Sequence, residues 1–440
     1  MGDVVNFKCP CCAAPLSFSG ETGEMTCKYC DSSFTMEQVK AAEAAEAAAG
    51  EASLEMTWSS TEQALIQDEN GKVAGYICPS CGAQMVADEH TAATECPYCG
   101  NPAVIPQSFE GMYRPDLMIP FAVDKEKAKS KLTDFTKGKK LLPKSFTANN
   151  RIEDITGVYV PFWLYSCHAD GYVAYEGVRS KTWEDQQFVY TKKDHYRLTR
   201  QGEMDFAQIP VDASSQMDDA TMDSLEPYDL SKAVDYDAAY FSGYLANRYD
   251  VEEKDAQPRA NDRVLNTFRS KMREQVGDYE EVSQKGESIR LTGARAEYAM
   301  LPVWMMTTKY KGDSYTFAIN GQTGKMTGSL PVDQGLYYKY LVLGTLIPML
   351  LAQLVLFFVG DGGVSVSSEV IALVISLVIG FGYVSRLKAA MSTVAIKQNA
   401  AGYVQQDSVR TGRPEDVFLF TKTERRQKPQ NTSGSQATRT

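Results

Sequence analysis

The chain has 440 residues, 43% of them hydrophobic and 10% aromatic, which excludes a disordered protein and leaves room for two or three domains. Ten cysteines would suit a disulfide framework in a small secreted protein, but eight stand in CxxC pairs and the N-terminal MGDVVNFKCP has no signal-peptide core, so a reducing compartment is expected. The formal charge of −11 is carried by residues 1–100, where fifteen acidic residues face four lysines and no arginine, a balance that repels phosphate backbones.

The first hundred residues contain a repeat. Cys9, Cys12, Cys27 and Cys30 recur at an offset of 69 as Cys78, Cys81, Cys96 and Cys99, and each set reads CxxC, fourteen residues, CxxC. The flanks agree: Cys9-Pro10-Cys11-Cys12-Ala13-Ala14 matches Cys78-Pro79-Ser80-Cys81-Gly82-Ala83, and Tyr29 matches Tyr98. That register leaves Cys11 out of the ligand set. Two CxxC turns brought together by a hairpin supply four thiolates in a tetrahedron with no open position, so two small β zinc ribbons are predicted, over 1–36 and 73–106, with two Zn2+ per chain. Redox CxxC pairs and rubredoxin-like iron compete, iron because Cys96-Pro97-Tyr98-Cys99-Gly100 would suit it; the fourteen-residue loop favours a ribbon. His90, inside the second loop, reads as a surface residue beside an already closed site.

Between the ribbons, residues 37–72 read as an acidic spacer. Its Ala/Glu-rich part, 37–55, is made of strong helix formers with little to bury, and a straight helix there would hold the ribbons about 30 Å apart. Residues 107–335 mix short apolar strands with helices predicted over 125–137 and 261–276, which makes an α+β body. Within it Val160-Pro161-Phe162-Trp163 and Leu301-Pro302-Val303-Trp304 repeat a phrase, with Ile119-Pro120-Phe121 ahead of them. This suggests a duplicated β unit whose prolines mark edge strands or strand starts. Asn320-Gly321-Gln322-Thr323-Gly324 reads as a hairpin turn. Gly321 to Lys325 is not a phosphate loop, since a Walker loop needs four residues between its glycines and Ser or Thr after the lysine. Cys167, His168 and His195 read as a buried thiol and two scattered histidines and not as a third metal site or a Cys/His nucleophile.

Residues 341–359 carry no charge and 370–385 carry none either, so 339–388 reads as a two-helix transmembrane hairpin, its second segment short for ~30 Å of hydrocarbon. Lys339, Arg386, Lys388 and Lys397 flank the pair and Asp361 and Glu369 lie between, so the positive-inside rule puts both termini in the cytoplasm of a multi-pass cell-membrane protein. Residues 389–440 form a basic tail, expected to be disordered from 421 onward.

Taken together, the ribbons, the two Pro-Trp phrases, the Asn320 to Lys325 turn and the terminal apolar pair resemble a bacterial family of TFIIB-type zinc-ribbon-containing membrane proteins. Some relatives carry a primosomal-helicase label that the missing Walker loop does not support. The resemblance implies a place in a phage-shock type of envelope-stress system, anchoring a phage-shock-protein-A-like coat protein beside an SPFH-class partner. The function expected is a non-enzymatic, cytoplasm-facing scaffold that docks protein partners. The alternative is a membrane-tethered nucleic-acid- or polymerase-binding regulator, which would need a basic surface beyond residue 100.

Overall fold

The computed structural model describes residues 7–9, 14–20, 22–29, 33–40, 58–60, 65–66, 73–86, 95–101, 104–109, 112–149, 155–359 and 366–428. The expected helical spacer over 37–72 lies outside them from residue 41 to 57, as do Cys11, Cys12, Cys30 and His90. Where the spacer is described again it is extended and not helical, because Ser59–Ser60 and Leu65–Ile66 pair with Arg295–Ala296 and Met112–Tyr113.

In chain order, β1 (Ser17–Ser19), β2 (Glu24–Thr26) and β3 (Ser33–Phe34) form a small antiparallel sheet, and helix α1 is described over residues 36–40. Short β4 (Ser59–Ser60) and β5 (Leu65–Ile66) precede β6 (Val73–Ile77), β7 (Gln84–Val86), β8 (Ile105–Phe109), β9 (Met112–Tyr113) and β10 (Leu117–Met118). Next come α2 (Lys125–Thr136), α3 (Lys144–Asn149), β11 (Thr156–Glu184), β12 (Phe188–Asp212), α4 (Asp219–Leu225), β13 (Val234–Asp235) and β14 (Leu245–Asn247). Then follow α5 (Glu253–Glu274), β15 (Glu281–Tyr310), β16 (Asp313–Asn320) and β17 (Met326–Gly328). Helices α6 (Gln334–Val359) and α7 (Val366–Ala389) lead to β18 (Arg410–Thr411) and β19 (Glu415–Gln427).

The long strands β15, β11 and β12 pair antiparallel in that order, and β19 pairs with the outer side of β12. Alternation along β11 sorts its side chains onto two faces. Tyr165, Cys167, Ala169, Val173 and Tyr175 enter one core; Val158, Val160, Phe162 and Leu164 enter the other. Helix α5 covers the first face with Ala256, Ala260, Val264, Phe268 and Met272, a stripe of every fourth residue. The helix predicted from Asn261 therefore starts at Glu253 and runs through Pro258. A proline ordinarily interrupts a helix, and Ala256 and Ala260 are too small to register as an apolar stripe.

The two Pro-Trp phrases face one another, with Tyr159 opposite Pro302, Val160 opposite Leu301 and Pro161 opposite Met300. Neither proline lies in an edge strand, contrary to the sequence expectation. Pro161 sits where the outer neighbour of β11 changes from β14, last paired at Tyr159, to β12, first paired at Phe162. Pro302 sits where the neighbour of β15 changes from β10, last paired at Met300, to β16, first paired at Val303. A proline has no N–H to offer a ladder, so it is tolerated at a seam where no ladder partner is present. The predicted hairpin joins β16 to β17: Asn320 Oδ1 accepts the N–H groups of Gln322 and Thr323, each at 2.9 Å, and Gly324 takes φ +75°.

Two helices longer than their uncharged cores carry the apolar surface. The 26-residue α6 and 24-residue α7 would each extend about 36 Å or more, enough to cross a bilayer, and their outer faces expose Leu350, Leu351, Val374 and Val378. Their backbones approach closely at Gly344 and Gly380, where a Cβ on Gly380 would lie 2.9 Å from Thr345 N. The segment leaving α7 is fastened to the body. Leu330 N–H donates to Met391 O at 2.8 Å, Lys397 N–H to Asp223 Oδ2 at 3.0 Å and Ala400 N–H to Thr267 Oγ1 at 2.7 Å. Beneath it, Glu226 is buried at 1% exposure and takes two hydrogen bonds from Arg263, at 2.9 and 2.7 Å, and one from Tyr403. Residues 421–427, expected to be disordered, instead complete β19, because β12 offers them an open ladder from Phe188 to His195.

Candidate metal centre

Strands β6 and β7 are antiparallel neighbours joined by the turn that holds Cys78 and Cys81. Within it Cys78 N–H donates to Ala83 O at 2.9 Å and Gly82 N–H donates to Cys78 O at 2.8 Å. The second turn copies both bonds: Cys96 N–H to Asn101 O and Gly100 N–H to Cys96 O, each at 2.8 Å. Each turn must close left-handed, which Gly82 and Gly100 do at φ +77° and +65°.

The turns present their sulfurs to a common point. Cys78 and Cys99 Sγ are 3.7 Å apart, Cys81 and Cys96 Sγ are 3.7 Å apart, and all four lie within 4.8 Å of one another. A disulfide would require about 2.0 Å. Four sulfurs placed about 2.3 Å from a tetrahedral ion stand about 3.8 Å from each other, so this cluster can hold a metal ion with all positions filled by protein. Burial raises the Cys78 thiol most, but the N–H groups of Cys81 and Ser80 and the neighbouring thiols of Cys81 and Cys99 together outweigh that and bring it down to about 7. Burial pushes Cys81 up to about 11. A cation at the centre would favour the thiolate in all four, which is the chemistry such a group supplies here.

This four-cysteine unit is part of the body. Strand β7 pairs with β14, which pairs with β11, and the cysteines share one hydrophobic core with Val303, Met305 and Ala318. Thr307 on β15 donates its hydroxyl toward the carbonyls of Pro97 and Tyr98, at 2.9 and 3.1 Å. Tyr98 is buried at 9% exposure against this face.

In the first repeat, Cys9 and Cys27 are both buried in one small core with Met25, Phe34 and Val39, while Cys12 and Cys30 lie outside the described residues. Cys9 N–H donates to Ala14 O at 2.7 Å, the same bond, at the same offset, that Cys78 makes to Ala83. The two repeats use their surfaces differently. Tyr29, the counterpart of Tyr98, is 80% exposed, and Phe18 is 60% exposed. The first unit rests on the C-terminal strand instead, where Phe34 meets Phe420 edge-on at 5.7 Å.

Cys167 faces the main core and burial raises its thiol to about 12. His168 lies on the opposite face of β11, with Nδ1 2.6 Å from Asp205 Oδ1 on the facing strand. His195 is ten residues farther along β12, about 33 Å away, paired with Glu176 at 2.8 Å and stacked on Phe420. The three do not converge. Thr307, whose hydroxyl holds the second cysteine turn, carries no sequence signal, because it lies more than two hundred residues from that turn.

No protein-family model matches the chain, and no solved structure matches it. Among curated proteins, one from Bacillus subtilis (strain 168) described as "Uncharacterized protein YdjG" is similar to it, 29% identical over 332 residues that cover 76% of this chain and 92% of that protein.

Proposed function

We propose that the protein is a membrane-anchored scaffold of the phage-shock, envelope-stress type, with two zinc ribbons on the cytoplasmic side. The observation that carries this reading is the fastening of the body to the chain segments that enter and leave the apolar helix pair. A body held at Leu330, Asp223, Thr267 and Glu226 moves with the helices and is kept at the bilayer surface. Lys339, Arg386 and Lys388 lie on the body side of the pair and Glu369 on the far side, which supports cytoplasmic termini.

The two ribbons divide the work. The aromatic face of the second is occupied by the body, so its zinc acts as a structural staple. The first keeps Tyr29 and Phe18 exposed on an acidic module, which suits a protein partner such as a phage-shock-protein-A-like or SPFH-class protein. Affinity purification of the full chain from gently solubilised native membranes tests this. The expected outcome is recovery of an envelope-stress partner that is lost with Tyr29→Ala. Recovery of the chain in the soluble fraction, or of the same partners with Tyr29→Ala, overturns the reading.

A further inference from the structure

The sequence places lysines on both sides of the apolar pair, but the fold brings a further pair to the same spot. The loop between α2 and α3 crosses to the body-side ends of α6 and α7, pinned there by Asp333 N–H donating to Leu141 O at 2.9 Å. Leu141 and Leu142 pack with Leu336, Tyr337, Tyr340 and Leu387. Lys139 Nζ hydrogen-bonds Ala390 O, and Lys140 Nζ lies 3.0 Å from Tyr383 Oη, between the rings of Tyr340 and Tyr383 at 5.9 and 5.7 Å. Lys339, Arg386 and Lys388 are exposed on the adjoining helix ends. Among the described residues, none of these five cations has a carboxylate partner within ion-pair distance. The one acid at the head of α6, Asp333, accepts the Leu336 N–H at 3.0 Å.

Five cations without a carboxylate partner among the described residues, together with two tyrosines, therefore ring the ends of two lipid-length apolar helices, at the depth where phosphates of a bilayer would lie. We propose that this collar, Lys139, Lys140, Lys339, Arg386 and Lys388 with Tyr340 and Tyr383, binds the headgroup of an anionic phospholipid. The proposal rests on the membrane-anchored reading and adds a ligand to it. Lys140 bridges the two helices and the body at one point, so a headgroup phosphate seated there would join all three through one set of charge-assisted hydrogen bonds.

The test uses the full chain in mixed micelles of phosphatidylcholine and phosphatidylglycerol, with the lipid retained per chain read after exchange into detergent. Wild type is expected to retain phosphatidylglycerol preferentially, and K139Q/K140Q to lower that preference about tenfold, from a few-fold loss per lysine. R386Q/K388Q, whose side chains are exposed and form no ion pair among the described residues, is expected to lower it in the same direction and decides the matter where K139Q/K140Q fails to fold. Unchanged preference in both variants overturns the proposal. So does displacement of the lipid by inorganic phosphate beyond that seen with chloride at equal ionic strength, which would mark a free-phosphate site. A chain found in the soluble fraction would sink the anchoring reading itself, whereas a membrane-resident chain without lipid preference sinks only the collar.

Discussion

At the scale of single residues, chemistry that looks alike in sequence separates by surroundings. Cys81 and Cys167 are both thiols raised by burial, but only Cys81 has three sulfurs around it. Cys81→Ser is expected to remove one metal equivalent per chain, and Cys167→Ser none, by elemental analysis; equal loss in both would overturn the ligand assignment. Asp212 shows a second separation. Its side chain is almost wholly buried, and burial, opposed by Arg259, pushes its carboxyl from 3.8 up to about 6. The folded state thus holds a proton that the unfolded state releases near pH 4. That stabilisation is complete below about pH 4 and is lost as pH rises through about 6, an effect of order 2–3 kcal/mol. Asp212→Asn should abolish this part of the slope, so that its thermal midpoint relative to wild type rises between pH 4 and 7. A constant difference across that window would refute the assignment. The cysteine spacing was legible because the cysteines of each set lie close in the chain. Asp212, Arg259 and Glu226 were not, because their partners come from four separate segments and each alone resembles a surface charge.

Elements show the same limit from another side. The turn at Asn320 and the helix α2 are local and could be read directly. The role of Pro161 and Pro302 could not, since a seam between two neighbouring strands exists only when both neighbours are known. The C-terminal strand failed for a related reason: Glu415 to Gln427 is too polar to announce a strand, and it forms because β12 presents unpaired backbone groups to it. It also supplies Phe420 to the core that contains Cys9 and Cys27. Phe420→Ala is expected to cost that small core about 3 kcal/mol, seen as faster limited proteolysis within residues 7–40 with the body's cleavage rate unchanged. Equal acceleration in both regions would mean that the first unit and the body unfold as one.

For the whole molecule, the unequal embedding of the two cysteine units predicts unequal consequences of metal loss. The second unit extends the main sheet through β7 and β14, shares a core with β15 and β16 and is held by Thr307, so metal binding there is folding free energy for the body. The first unit touches the body through Phe34 and Phe420 and has its own core. Chelation in detergent micelles should therefore lower the thermal midpoint of the body's main transition. Cys96→Ser should reproduce that drop in the presence of excess zinc, while Cys9→Ser should leave the transition in place and release only the N-terminal unit. The buried Glu226–Arg263 pair sets the scale for comparison: Glu226→Gln leaves a buried guanidinium without its counter-charge and is expected to cost about 3–5 kcal/mol. That loss would loosen the segment leaving α7, and with it the tie between the membrane pair and the body. If Cys9→Ser lowers the main transition as far as Cys96→Ser does, both units belong to one cooperative structure, and the first is not free to act as a separate docking surface.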